Sequence, residues 1–103
     1  MALTRDFRES VQERVRSDSA FRQGLLTDSL DAFLGGEIAL GREMLRDFIN
    51  ATLGFPALAE ETGIHVKTLH QMFGPKGNPT ASNLFKIIAC LQEQEGVRLQ
   101  VMA

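Results

Sequence analysis

The side chains with the most varied chemistry in this chain gather in one short stretch. His65, Val66, Lys67, Thr68, His70 and Gln71 lie almost side by side, and Lys76, Gly77 and Asn78 follow closely. Glutamine can make paired hydrogen bonds to adenine, lysine can bond guanine or a phosphate oxygen, and valine can pack on a thymine methyl group. The two histidines can donate to phosphates or to base edges. Metal binding is the rival use of the same residues, and it fits poorly. Histidines at 65 and 70 would point to different sides of a helix, and Cys90 sits among Ile88, Ala89 and Leu91, where a small apolar core residue belongs.

Catalytic arrangements are missing as well. No Ser–His–acid or Cys–His pattern is suggested, and the glycines between Gly74 and Gly77 lack both the Walker spacing and a preceding strand. The carboxylates of the first half fall where solvated helix faces would carry them. The chain therefore does not read as an enzyme, with no catalytic residue, metal site or cofactor expected.

Charge gives the polar stretch its context. The 103 residues carry a net charge of −2, which on average disfavours nucleic acid. The distribution reverses that. Residues 1–61 hold eleven of the thirteen acids against seven arginines, whereas residues 62–92 hold no Asp or Glu, only Lys67, Lys76 and Lys86 with the two histidines. A phosphate backbone responds to this local field rather than to the average.

Helices must position these groups. Leu3, Phe7, Val11 and Val15 recur every four residues and predict a first helix with one apolar face. Asp18 is an N-cap candidate for a second helix, built on Phe21, Leu25, Leu26, Leu30, Phe33 and Leu34 and stopped by Gly35-Gly36. A third runs from about Glu37 through Leu45, Phe48 and Ile49 to Leu53, with Gly54 free to take positive φ at its end. Pro56 suits the first position of a short fourth helix that stops at Gly63. A fifth covers about Val66 to Phe73. The two prolines and two glycines of Gly74-Pro75-Lys76-Gly77-Asn78-Pro79 predict a tight loop, and Thr80 caps a last helix that buries Leu84, Ile87, Ile88 and Leu91.

After Gly96 the period changes. Val97, Leu99 and Val101 alternate with Arg98, Gln100 and Met102, which predicts a half-buried strand. A lone strand leaves ladder groups unpaired, so the same strand of a second copy is the economical partner, with another protein as the alternative. Val97, Leu99 and Val101 are thus the expected dimerisation residues.

From Phe55 to Gly74 the spacing matches a helix-turn-helix. Ala59 permits the close crossing of two helices, Gly63 supplies the turn, and Leu58, Ile64, Leu69 and Met72 point inward. Thr62 is the soft match, because an apolar residue is commoner there.

These motifs resemble the lambda-repressor-like (Xre-type) helix-turn-helix regulators, and within them the addiction-module antidote (antitoxin) group. The likeness rests on Leu-Ala-Glu-Glu-Thr-Gly-Ile, Lys-Thr-Leu-His-Gln-Met-Phe, Gly-Pro-Lys-Gly-Asn-Pro-Thr and the closing Gly-Val-Arg-Leu-Gln-Val, and it spans roughly Glu37 to Val101. Residues 1–34 depart from the antidote pattern.

The resemblance implies an all-α, lambda-repressor-like helical bundle. It would comprise a two-helix N-terminal extension (1–36), a helix-turn-helix core (37–96) and a short C-terminal β-strand (97–103), within one compact domain. It further implies that the helix from Val66 reads the major groove of double-stranded DNA through His65, Val66, Lys67, Thr68, His70 and Gln71. Lys76, Gly77 and Asn78 would meet the phosphate backbone. A homodimeric transcriptional regulator is the first expectation. An antitoxin that neutralises a partner toxin, with DNA binding as autoregulation, is the second. With no apolar run long enough for a membrane, and Arg5, Asp6, Arg8 and Glu9 where a signal peptide would be apolar, a cytoplasmic location is expected. The absence of arginine between Asp47 and Arg98 keeps open a third expectation, a structural interaction module that kept the helix-turn-helix shape and lost DNA, since arginine is the commonest reader of guanine.

Overall fold

A computed structural model describes residues 5–103, with nothing said of the side chains of Arg5, Asp6 and Arg8. Those residues form six helices: α1 (Arg5–Ser17), α2 (Ser19–Leu34), α3 (Ile38–Ala51), α4 (Gly54–Thr62), α5 (Val66–Met72) and α6 (Ala81–Glu95). The chain is all-α among the described residues. None of their helices is long and apolar enough to cross a membrane. Backbone contacts gather into two compact units, Met1–Gly54 and Phe55–Ala103.

In the first unit α1, α2 and α3 pack on one another. The face predicted for α1 is committed only at its end: Val15 is buried, Val11 half-buried and Phe7 exposed, while Leu3 lies outside the described residues. Asp18 caps α2 as its position predicts, its carboxylate accepting from the Phe21 N–H at 3.1 Å. Arg22 closes the end of α1 by donating to the Val15 and Arg16 carbonyls at 3.0 and 3.2 Å. Gly36, at φ 81°, turns the chain into α3 while the Glu37 N–H reaches the Ala32 carbonyl at 2.9 Å. The two helices then approach closely at Gly41, where a Cβ would lie 2.9 Å from the Phe33 ring. Leu45, Phe48 and Ile49 fill the core side of α3, each contributing roughly 1.5–3 kcal/mol through burial.

The second unit is built from α4, α5, α6 and the tail. Leu58, Ile64, Leu69 and Met72, the residues expected to point inward, are all buried, together with Phe55, Phe73, Ile87, Ile88 and Leu91. Leu84 is only half-buried. α4 starts at Gly54, two residues before Pro56, whose missing N–H costs nothing in a first turn that has no acceptors to offer. Thr80 caps α6 by accepting from the Asn83 N–H at 3.2 Å. Gly96 ends it in the left-handed region at φ 67°, with the Val97 N–H donating to the Gln92 carbonyl at 3.1 Å.

The expected C-terminal strand is not formed. No described residue lies in a strand, and residues 97–103 carry no regular structure. The alternation persists in burial, with Val97 and Leu99 half-buried and Arg98 and Gln100 exposed, but it breaks at Val101, which is 80 % exposed. The physical reason lies at Leu99. Its N–H donates to the Gln92 side-chain oxygen at 2.7 Å, so a ladder bond is already spent on the chain's own helix. The seam assigned to Val97, Leu99 and Val101 therefore has two of its three side chains partly covered by their own protomer.

Candidate nucleic-acid interface

The polar stretch singled out by its chemistry occupies α5 and the loop after it. α4 delivers the chain to a turn at residues 63–65, and Gly63 takes φ 74° there, in the region where a Cβ is strained. Its N–H donates to the Ala59 carbonyl at 2.9 Å. Thr62, the poor match to the pattern, closes the same turn from both sides. Its hydroxyl donates to the Leu58 carbonyl at 2.7 Å and accepts from the Ile64 N–H at 3.3 Å. An apolar residue could do neither, so the departure is a hydrogen-bonded variant of the turn.

His65 precedes α5 and caps it, Nδ1 accepting from the Lys67 N–H at 3.1 Å. That bond requires the proton on Nε2, which is left as the ring's one donor. Val66 is half-buried, whereas Lys67, Thr68, His70 and Gln71 are exposed. Lys67 and Gln71 are four residues apart and Thr68 and Gln71 three, so these three side chains are neighbours on one helical face. Leu69 and Met72 occupy the buried face beneath them. His70 is tied down: its ring lies 4.9 Å from the Phe55 ring, centroid to centroid, and Phe55 in turn lies 5.5 Å from Phe73. The polar edge of His70 can face outward only in the orientations this packing leaves.

In the following loop Lys76 and Asn78 are exposed, and Gly77 is half-buried. Gly77 is committed internally. Its N–H donates to the Gly74 carbonyl at 2.9 Å, and a Cβ at this position would overlap the Gln71 and Met72 carbonyl oxygens. The glycine is there because the loop crosses the end of α5 too closely for any side chain, and its N–H is not left over for a phosphate. Asn83 holds the far side of the loop, its amide 3.8 Å from the Met72 sulfur.

Exposed Lys67, Thr68, Gln71, Lys76 and Asn78 therefore form the accessible part of the predicted set, with His65 and His70 partly engaged and Val66 and Gly77 partly covered. Sequence reasoning missed Phe55, which anchors His70, and the capping role of His65. The absence of Ser, Thr, Asp or Asn at position 65, immediately before a helix, was the available hint. No group of three or more His, Cys, Asp or Glu side chains is placed to hold a metal among the described residues. α4 carries exposed Glu60 and Glu61, so the positive character belongs to α5 and its loop rather than to the pair of helices.

No protein family, curated protein or solved structure matches the chain.

Proposed function

We propose that this chain is a sequence-specific DNA-binding transcriptional regulator acting as a homodimer. α4, the turn at Gly63 and α5 are read as a helix-turn-helix, with α5 as the helix that enters the major groove. The observation that carries the reading is the exposed trio Lys67, Thr68 and Gln71 on a helix whose opposite face buries Leu69 and Met72. Residues 62–92 around it contain no carboxylate. Lys67 and Lys76, the two lysines of α5 and its loop, neutralise few phosphates, so one copy binds weakly, and two copies on half-sites about one helical turn apart supply useful affinity.

The test is selection of duplexes from a randomised pool, followed by anisotropy titration of selected and scrambled duplexes at two salt concentrations. Gln71→Ala is expected to lose about 1–3 kcal/mol of discrimination at particular base pairs. Lys76→Glu should weaken selected and scrambled duplexes alike and reduce the salt slope by about 1 for the lost cation. Parent-like binding by both variants on both duplexes sinks the placement of the interface.

A second reading, in which the chain is an antitoxin and DNA binding is autoregulation, draws on the first unit. Leu34, Ile38 and Leu40 stand exposed around the α2–α3 turn, a surface a protein partner could cover. Co-expression with the product of any small basic reading frame beside the gene separates the two. Growth rescue that is lost with Leu34→Asp supports the antitoxin; a neighbour with no effect on growth removes it.

A further inference from the structure

The outer face of α6 holds an uncovered phenylalanine that the reading above does not employ. Phe85 is 63 % exposed, although Ile87, Ile88 and Leu91 on the other side of the helix are buried. One turn after Phe85 comes exposed Ala89, and along the adjoining strip stand exposed Lys86 and Glu93. These two opposite charges are seven residues apart, two helical turns along nearly the same line.

We propose that this face is the contact between two copies of the chain, with α6 packed antiparallel on α6 of the second copy. The midpoint of positions 86 and 93 falls between Ala89 and Cys90. A two-fold axis there sets each Lys86 opposite Glu93 of the second copy, twice over, as a self-complementary closed contact requires. Ala89 beside the axis presents only a methyl group and lets the helices approach. Phe85 then comes over the Gly96 end of α6 of the second copy, beside Gln92, whose side-chain oxygen already accepts the Leu99 N–H. Gly96 has open space where a Cβ would stand, which leaves room for the ring. A parallel pairing in register would instead put the two charged strips on opposite sides of the seam and leave both ion pairs unmade, so the charges select the antiparallel arrangement. A single helix pair covers less area than a standard stable interface, so the free dimer is a weak one. The seam lies on α6, and the tail that was expected to supply it is an accessory at most.

The inference rests on the two-copy part of the reading above and not on DNA recognition, so association is measured on the full chain without DNA. Sedimentation equilibrium across micromolar to submillimolar concentrations should show a monomer–dimer equilibrium. Lys86→Glu and Glu93→Lys should each weaken it by about tenfold or more, and the double exchange Lys86→Glu/Glu93→Lys should restore it. Phe85→Ser should also weaken it, with the helical circular dichroism of every variant unchanged because the altered positions are exposed. Three results overturn the proposal: a monomer at all concentrations, a dimer indifferent to the single charge reversals, or singles that are not rescued by the double exchange. A dimer that persists in Gln71→Ala while DNA discrimination fails separates this contact from the DNA interface.

Discussion

The imidazole of His70 lies against the ring of Phe55, 4.9 Å between centroids and inclined by 42°. A residue whose chemistry points to base contact is thereby also a strut between α5 and α4. His70→Ala is expected to cost about 0.5–1.5 kcal/mol in urea unfolding for the lost ring pair. His70→Phe should hold stability near the parent while removing the polar edge. If His70→Phe leaves duplex discrimination unchanged, the histidine serves packing alone.

Gly77→Ala should be among the most damaging single-methyl additions in the second unit. The added carbon would overlap the Gln71 and Met72 carbonyl oxygens, which belong to backbone and cannot swing aside. Overpacking of this kind costs about 1–3 kcal/mol. Thermal unfolding of Gly77→Ala beside Gly24→Ala, where nothing lies within 4 Å of an added Cβ, checks it. Equal melting temperatures would mean the loop does not run where it is placed.

Thr62→Val keeps the shape of the side chain and removes both of its hydrogen bonds, to the Leu58 carbonyl and from the Ile64 N–H. A loss of about 1–2 kcal/mol is expected for the pair, because Ile64 is buried and its N–H loses its partner. A stabilised Thr62→Val, as the commoner apolar residue at that position would suggest, contradicts the hydrogen-bonded turn.

Burial pushes the Cys90 thiol above its ordinary value, and the carboxylates of Glu61 and Glu93 push it the same way. The folded chain thus holds the thiol proton more tightly than the unfolded chain does. The corresponding stability is present below the unfolded thiol value of about 8.5 and is lost as pH rises above it toward the folded value. Alkylation by iodoacetamide at pH 8.5 should accordingly run slower in the native protein than in urea, and Cys90→Ala should flatten the fall in stability between pH 8 and 10. Native alkylation as fast as that of the unfolded chain would show an unperturbed thiol.

Much of the local architecture was readable before any fold was known. Asp18 and Thr80 act on backbone groups within a few residues of themselves, so residue type and the start of an apolar period suffice to place them. The inward set Leu58, Leu69 and Met72 was equally legible, because a helix of fixed pitch allows one buried face, and Ile64 in the turn between the two helices was legible as the apolar residue after Gly63. The outer face of α5 followed by subtraction. What its members do besides pointing outward did not follow, since His65 binds backward to the Lys67 N–H and His70 finds a ring fifteen positions earlier.

The sequence by itself determined the helical periods, the caps at Asp18 and Thr80 and the acid-free stretch, all of which depend on neighbours within one or two turns. Tertiary structure decided the rest. An alternating Val97-Leu99-Val101 pattern states only that one side prefers cover, and a strand additionally needs a second backbone to accept its hydrogen bonds. Here the Gln92 side chain takes the Leu99 N–H first, and no ladder forms. Likewise, Gly41 and Gly77 look like any other glycine in the chain. Only the approach of the Phe33 ring to one, and of the last α5 carbonyls to the other, shows that no larger residue fits. Such contacts join positions whose separation along the chain carries no periodic signature, and packing alone selects them.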